Sequence, residues 1–154
     1  MVCQAKILIV EDESYILELL LRIVETVVPP SQILTAANGE EGLLQASRHS
    51  PDLIITGLRM PKMDGYKMVQ QLRQRKSGNV TPIIGLSGTD PNLFSTMAFR
   101  AVCNDFLNKP FIPDELLAKV NFWLQSENLS GLSLSLYQPE KWRHNTGGKL
   151  DLFN

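Results

Sequence analysis

Short apolar runs alternate with longer amphipathic stretches along the first 126 residues. The runs consist largely of apolar and β-branched residues, which is typical of strands buried on both faces of a parallel sheet. The amphipathic stretches repeat their apolar residues at intervals of three and four, which predicts helices. A helical stretch follows each predicted strand, and the strands cover residues 6–10, 33–36, 53–57, 82–87 and 105–108. Five such units predict an α/β fold with a doubly wound, five-stranded parallel sheet.

Capping and turn residues mark the ends of several predicted helices. Pro29 and Pro30 are expected to end the first helix, for which Ser14 is the predicted N-cap. Asn38 is the predicted N-cap of the second helix, and Pro91 suits the first position of the fourth.

The pattern changes after Ser126. Part of the segment 127–154 alternates leucine with small residues, a period-two pattern that is typical of a strand. This segment is too short to be an independent domain. We therefore predict one domain over residues 1–126 and a C-terminal tail over 127–154, which forms an extra strand, binds a partner as a strand, or is disordered.

Composition and charge narrow the classes of function. The chain is 44% hydrophobic and 20% charged, as in ordinary globular proteins, and its net charge of -1 argues against direct nucleic-acid binding. Cys3 and Cys103 lack metal-ligand spacing and are expected to be free thiols. No signal-peptide pattern is present, and no apolar run approaches the roughly 20 residues of a membrane span. We expect a cytoplasmic protein with no membrane partner.

Chemically distinctive residues follow four of the predicted strands. Glu11 and Asp12 come after the first strand, Gly57 ends the third, Ser87 ends the fourth, and Lys109 follows the fifth. The carboxyl ends of parallel strands share one edge of the sheet, where ligands collect. Adjacent carboxylates suit Mg²⁺, a lysine can neutralise a carboxylate or a phosphoryl group, and a hydroxyl can donate to a phosphoryl oxygen. We expect Lys109 to form a salt bridge with Asp12.

Four segments together resemble the receiver domain of two-component response regulators, the CheY-like family. They occur in the family's order and are ILIVEDE at 7–13, PDLIITGLRMPKMDG at 51–65, PIIGLSG at 82–88 and DFLNKPF at 105–111. The resemblance covers residues 6 to about 125. It implies a CheY-like, flavodoxin-like (βα)5 fold and a role in phosphorelay signal transduction.

The resemblance implies a role for each residue at this edge. Glu11 and Asp12 match the acidic pair that holds Mg²⁺ in the family, with the main chain of Arg59 as a further ligand. Ser87 matches the switch hydroxyl, and Lys109 matches the lysine that contacts the phosphoryl group.

The resemblance also implies a surface for protein partners. Phe106 matches the aromatic residue whose rotamer reports the switch. The surface of the fourth helix, fifth strand and fifth helix, around Phe99, Phe106 and Phe122, would contact a partner such as a sensor histidine kinase or a downstream regulator. The Lys109–Pro110 peptide is commonly cis in such domains.

Position 57 departs from the family pattern. The family's phosphoacceptor is an aspartate, whereas Gly57 carries no nucleophile. Thr56 should point into a face of the sheet, because side chains alternate along a strand. Asp52 lies at the other end of the strand and Asp64 in the loop beyond it. We therefore expect weak or absent Mg²⁺ binding and a non-enzymatic pseudo-receiver that acts by protein–protein interaction, independently of phosphorylation.

Alternative functions stay open on the sequence. One is a conventional receiver with Mg²⁺-dependent phosphotransfer, either to another acceptor such as Thr56 or in a parent protein whose aspartate Gly57 replaces. Another is a pseudo-receiver that binds a small ligand in the space at Gly57. A flavodoxin-type mononucleotide enzyme is disfavoured, because EDES at 11–14 is no phosphate cradle. A transcription factor is disfavoured because the tail is too short for a helix-turn-helix.

Overall fold

A five-stranded parallel sheet forms the centre of the computed structural model, which describes residues 4–75, 81–88 and 90–128. The strand order is β2-β1-β3-β4-β5, so the first strand lies between the second and the third. The strands are β1 (Ile7–Val10), β2 (Ile33–Ala36), β3 (Leu53–Gly57), β4 (Ile83–Ser87) and β5 (Asp105–Asn108). The predicted α/β fold with a parallel sheet is confirmed.

Helices cover both faces of this sheet. They are α1 (Ser14–Val24), α2 (Gly39–His49), α3 (Gly65–Gln74), α4 (Phe94–Val102) and α5 (Pro113–Asn128). Helices α1 and α5 pack on one face, and α2, α3 and α4 pack on the other. The sheet is therefore doubly wound, and its edges at the strand ends are where side chains from different strands can meet.

Alternation along the strands divides the core into two layers. In β1, Ile7 and Ile9 face the layer with α1 and α5, whereas Leu8 and Val10 face the layer with α2, α3 and α4. All four side chains are fully buried, which explains why the strand consists of apolar residues only. Burial of each such side chain contributes about 1.5–3 kcal/mol to the hydrophobic free energy of folding.

The N-terminal caps agree only in part with the sequence. Asn38 caps α2 as predicted, since its Oδ1 accepts a hydrogen bond of 3.0 Å from the main-chain N–H of Glu41. Ser14 is the first residue of α1 and not its cap, so that prediction is wrong. The chain turns into the helix one residue earlier, and Glu13 occupies the cap position with extended backbone.

The start of α4 is also later than predicted. Pro91 lies in a turn before the helix, which begins at Phe94. The Asp90 side chain accepts a hydrogen bond of 2.9 Å from the N–H of Asn92, and the Asp90 carbonyl accepts one of 3.2 Å from Leu93. These bonds stabilise a separate turn, because an aspartate side chain competes well for nearby main-chain N–H groups.

Helix α5 ends at Asn128, two residues beyond the predicted domain boundary at 126. The alternating leucine segment of the tail and Cys3 lie outside the described residues. None of the helices in the described ranges is long and apolar enough to cross a membrane.

Candidate functional site

The strand register brings the distinctive residues to one edge of the sheet. Val10 of β1 lies opposite Thr56 of β3, so the next residues along the two chains, Glu11 and Gly57, are neighbours. Ser87 at the end of β4 lies opposite Asn108 of β5, which Lys109 follows directly.

Glu11 is the buried acid of this edge. Its side chain is 1% exposed, and its Oε2 accepts a hydrogen bond of 3.0 Å from Lys109 Nζ. Its Oε1 accepts a longer bond of 3.3 Å from the main-chain N–H of Glu13. Burial raises the pKa of Glu11 above its ordinary value of 4.5, and the hydrogen bond and positive charge of Lys109 oppose that rise. Lys109 therefore stabilises the ionised form of the Glu11 carboxylate, which burial disfavours.

The expected salt bridge between Lys109 and Asp12 is wrong, because Lys109 pairs with Glu11 instead. Glu11 is buried beside the strand ends, whereas Asp12 is exposed. Asp12 lies in a bend after β1, and although its carboxylate comes within 4.8 Å of the Glu11 carboxylate, the lysine ammonium pairs with Glu11 Oε2. Lys109 also donates its main-chain N–H to the Ser87 carbonyl at 2.9 Å, which connects the edge to β4. The Lys109–Pro110 peptide is cis, as expected.

Gly57 is buried, and the space in front of it is filled. A Cβ atom at position 57 would lie 2.8 Å from Glu11 Oε2, closer than such atoms normally approach. The chain's own carboxylate occupies the space considered for a small ligand at Gly57, so a ligand there would have to displace the Glu11 side chain. Gly65 packs behind the same residue, and a Cβ there would overlap the Gly57 carbonyl oxygen.

The three residues considered as substitute acceptors have other contacts. Thr56 is fully buried, and its Oγ1 donates to the Gly57 carbonyl at 2.9 Å. Asp52 Oδ2 accepts the main-chain N–H of Lys6 at 2.8 Å, at the opposite end of β3. Asp64 caps α3, with its Oδ1 accepting from Lys67 N–H at 2.8 Å.

Phe106 lies half-buried next to this edge. Its ring packs edge-on against Phe99 with centroids 5.8 Å apart, and the guanidinium carbon of Arg100 lies 5.0 Å from its centroid. Phe99 is fully buried, so the expectation that it forms part of a partner-binding surface is wrong. The strongly exposed apolar side chains of α4 are instead Phe94 and Met97.

Sequence reasoning missed a second buried ion pair, at the start of β5. Lys119 Nζ donates to Asp105 Oδ1 at 2.7 Å, and the indole N–H of Trp123 donates to Asp105 Oδ2 at 3.0 Å. The spacing of Lys119 and Trp123 on α5 was the available signal, because residues four apart share a helix face.

Three adjacent acidic residues form the candidate cation site of this edge. Within the described ranges, Glu11, Asp12 and Glu13 each offer one carboxylate oxygen within 4.8 Å of the others. However, Lys109 and the Glu13 N–H engage both oxygens of Glu11, and Gly57 offers no carboxylate. Arg59 is exposed in the loop after β3. A divalent cation at this cluster would therefore compete with Lys109 for Glu11 and would lack a carboxylate ligand from position 57.

Comparison with known proteins gives a consistent result. The family model of the response regulator receiver domain matches residues 7–121. The alkaline phosphatase synthesis transcriptional regulatory protein PhoP of Bacillus subtilis is 33% identical over 135 residues, which are 88% of this chain and 55% of that protein. The chain thus spans about half the length of the curated relatives that it matches.

Solved structures show the same similarity. The chemotaxis response regulator CheY4 of Vibrio cholerae superimposes with a TM-score of 0.68 and 30% identity, covering 77% of this chain and 98% of that one. The receiver domain of a sensor histidine kinase from Pseudomonas aeruginosa PAO1, solved with a magnesium ion in its active-site cleft, gives a TM-score of 0.71 and 25% identity. That match covers 79% of this chain and 98% of the other.

Proposed function

The chain belongs to the response regulator receiver domain family of two-component signalling, and from this premise we propose that it signals without phosphorylation at position 57. In this proposal the domain is a pseudo-receiver that catalyses no phosphotransfer and acts by binding another protein.

Gly57 is the observation that carries the proposal. The residue ends β3 next to Glu11, at the edge where the family's acceptor aspartate stands by sequence resemblance. A glycine has no side chain that could attack a phosphodonor. The contacts of Thr56, Asp52 and Asp64 support the proposal further, because each of these side chains has a structural partner.

Weak or absent Mg²⁺ binding is part of the same proposal. The family's ion requires free carboxylates, and Lys109 engages the carboxylate of Glu11. We assign Glu11, Asp12 and the main chain of Arg59 to no more than a residual cation site. Ser87, Lys109 and Phe106 keep their family positions but lack the usual covalent trigger.

The proposed partner is a protein, such as a sensor histidine kinase or a downstream regulator. The exposed apolar side chains of Phe94 and Met97 on α4 support a protein-binding surface, since such side chains are common anchors of interfaces. The nearly neutral net charge of -1 supports the absence of direct nucleic-acid binding. A cytoplasmic location belongs to the proposal as well and agrees with the free thiol of Cys103.

Intact-mass spectrometry tests this function. We would incubate the unmodified chain and Gly57→Asp with Mg²⁺ and acetyl phosphate, and use Gly57→Asn as the control because asparagine has nearly the same size and no nucleophilic carboxylate. We expect a phosphoryl mass gain for Gly57→Asp alone. A gain by the unmodified chain would contradict the proposal, and peptide mapping would then locate the acceptor.

A further inference from the structure

Glu11 occupies the space that a side chain at position 57 would need. Its Oε2 lies 2.8 Å from the point where a Cβ of residue 57 would stand, and the same oxygen accepts the bond from Lys109. We propose that Glu11 is a positioning residue that replaces the absent acceptor carboxylate, reaching from β1 across Gly57 to hold Lys109 at the edge of the sheet. This inference rests on the proposed function, in which position 57 accepts no phosphoryl group.

Strand geometry makes this replacement possible. Neighbouring strands lie about 4.8 Å apart, and β1 is the direct neighbour of β3. The two methylene groups of a glutamate are long enough to bring its carboxylate in front of the adjacent strand. Gly57 leaves that space open, whereas any side chain there would meet the carboxylate.

Charge explains why Glu11 stays in this position. The side chain is 1% exposed, so its carboxylate needs a partner that offsets the loss of water. Lys109 supplies a positive charge at 3.0 Å, and the Glu13 N–H supplies a second donor. Asp12 and Glu13 add negative charge close to Glu11, which makes the positive charge of Lys109 more important for keeping the Glu11 carboxylate ionised.

The pair also positions the neighbouring strands. The main-chain N–H of Lys109 donates to the carbonyl of Ser87, so a lysine held by Glu11 keeps the end of β5 against the end of β4. The edge around Ser87 and Phe106 is therefore held by an internal ion pair, without a covalent modification.

A single methyl group tests the proposal. Gly57→Ala adds a Cβ that must displace the Glu11 carboxylate, so we expect the melting temperature to fall. In a Glu11→Ala background the same change should raise the melting temperature by about 2–4 °C, because alanine in place of glycine reduces the entropy lost on folding and nothing fills the space. Gly57→Ala should thus lower the melting temperature when residue 11 is glutamate and raise it when residue 11 is alanine.

Gly88→Ala is the matched control at the same edge. A Cβ at Gly88 would meet nothing closer than 3.5 Å, an ordinary contact with the Lys109 side chain. Its effect on the melting temperature should therefore be the same in both backgrounds. If Gly57→Ala also had the same effect in both backgrounds, Glu11 would not fill the space and the inference would be wrong.

The ¹⁵N signal of the Lys109 ammonium group gives a second readout that needs no variant at position 11. We expect Gly57→Ala to shift this signal and speed its hydrogen exchange, although Lys109 itself is unchanged, whereas Gly88→Ala leaves the exchange slow. An unaltered signal in Gly57→Ala would overturn the inference. Neither result depends on phosphorylation, so a phosphoryl mass gain by the unmodified chain would overturn the proposed function separately.

Discussion

Two buried carboxylate–lysine pairs stabilise different parts of this domain. At the carboxyl edge of the sheet, Glu11 pairs with Lys109 at 3.0 Å. At the start of β5, Asp105 pairs with Lys119 at 2.7 Å. Both pairs connect separate elements, but their surroundings differ.

Asp105 has hydrogen-bond donors on both of its oxygens. Lys119 and the N–H of Phe106 donate to Oδ1, and the indole of Trp123 donates to Oδ2. The Lys119 side chain is 8% exposed, so water has little access to its charge. Such a saturated pair locks α5 onto β5 and leaves little capacity for another ligand.

Glu11 has fewer and longer contacts. One of its two bonds is 3.3 Å long, its neighbours Asp12 and Glu13 are also acidic, and the Lys109 side chain is 18% exposed. The pair can therefore rearrange by hydration at the edge. The comparison indicates that an ion pair at a strand end remains adaptable, whereas a saturated pair inside the fold is structural.

Lys119→Met should cause the largest loss of stability. It leaves the Asp105 carboxylate buried without its counter-ion, which typically costs about 3–5 kcal/mol. Urea unfolding followed by far-UV circular dichroism would measure the change. A loss below that caused by the corresponding change at Lys109 would reverse our ranking of the two pairs.

Lys109→Met should have an intermediate effect. We expect a loss of about 1–3 kcal/mol near neutral pH, because the Lys109 side chain is 18% exposed and water can enter the space that it leaves beside Glu11. The same urea titration applies, with Lys67→Met as the control, since Lys67 lies exposed on α3.

The loss in Lys109→Met should also grow with pH. Burial raises the pKa of Glu11 above 4.5, so its proton is bound more tightly in the folded protein than in the unfolded chain. The resulting stabilisation is present below pH 4.5 and is lost as pH rises through the raised pKa. Lys109 opposes that rise, so its removal should steepen the decline in stability as pH rises above 4.5. A loss independent of pH would show that Glu11 is not the group affected.

Arg22→Ala should have the smallest effect. Arg22 pairs with Glu18 one turn away on α1 at 2.6 Å, but the two side chains are 75% and 64% exposed. Such pairs contribute about 0.3–0.5 kcal/mol and are screened by salt. Urea unfolding of Arg22→Ala at low and high ionic strength would measure this loss of stability. The value for an exposed pair is the reference with which the losses at the two buried pairs are compared. A loss comparable to that of Lys109→Met would remove the distinction that we draw from burial.

The sheet was predictable because its signal is local. The buried residues of β1 are consecutive in the sequence, and so are those of β3. Turn residues on either side mark the ends of both runs. The caps were less certain, since Ser14 and Asn38 have equally suitable side chains. Only the path of the chain after β1 decides that Ser14 lies inside its helix.

The site was predictable as a set of positions but not as a set of contacts. Glu11, Gly57 and Lys109 follow strands of one parallel sheet, which places them at one edge. Whether Lys109 pairs with Glu11 or with Asp12 depends on the directions of their side chains in the folded protein. The local sequence around these residues does not determine those directions. The pairing of Asp105 with Lys119 was missed for a related reason, because its partners lie on different elements.

The two ion pairs differ in sequence separation, and we therefore expect them to form at different stages of folding. Lys119 and Asp105 are 14 residues apart, whereas Lys109 and Glu11 are 98 residues apart. Closing the longer loop costs more chain entropy, so we expect the contact at β5 and α5 to form early in folding and the contact at the carboxyl edge to form late. Late contacts change the rate of unfolding more than the rate of folding. We therefore expect that loss of the Glu11–Lys109 pair shortens the lifetime of the folded molecule more than it slows folding.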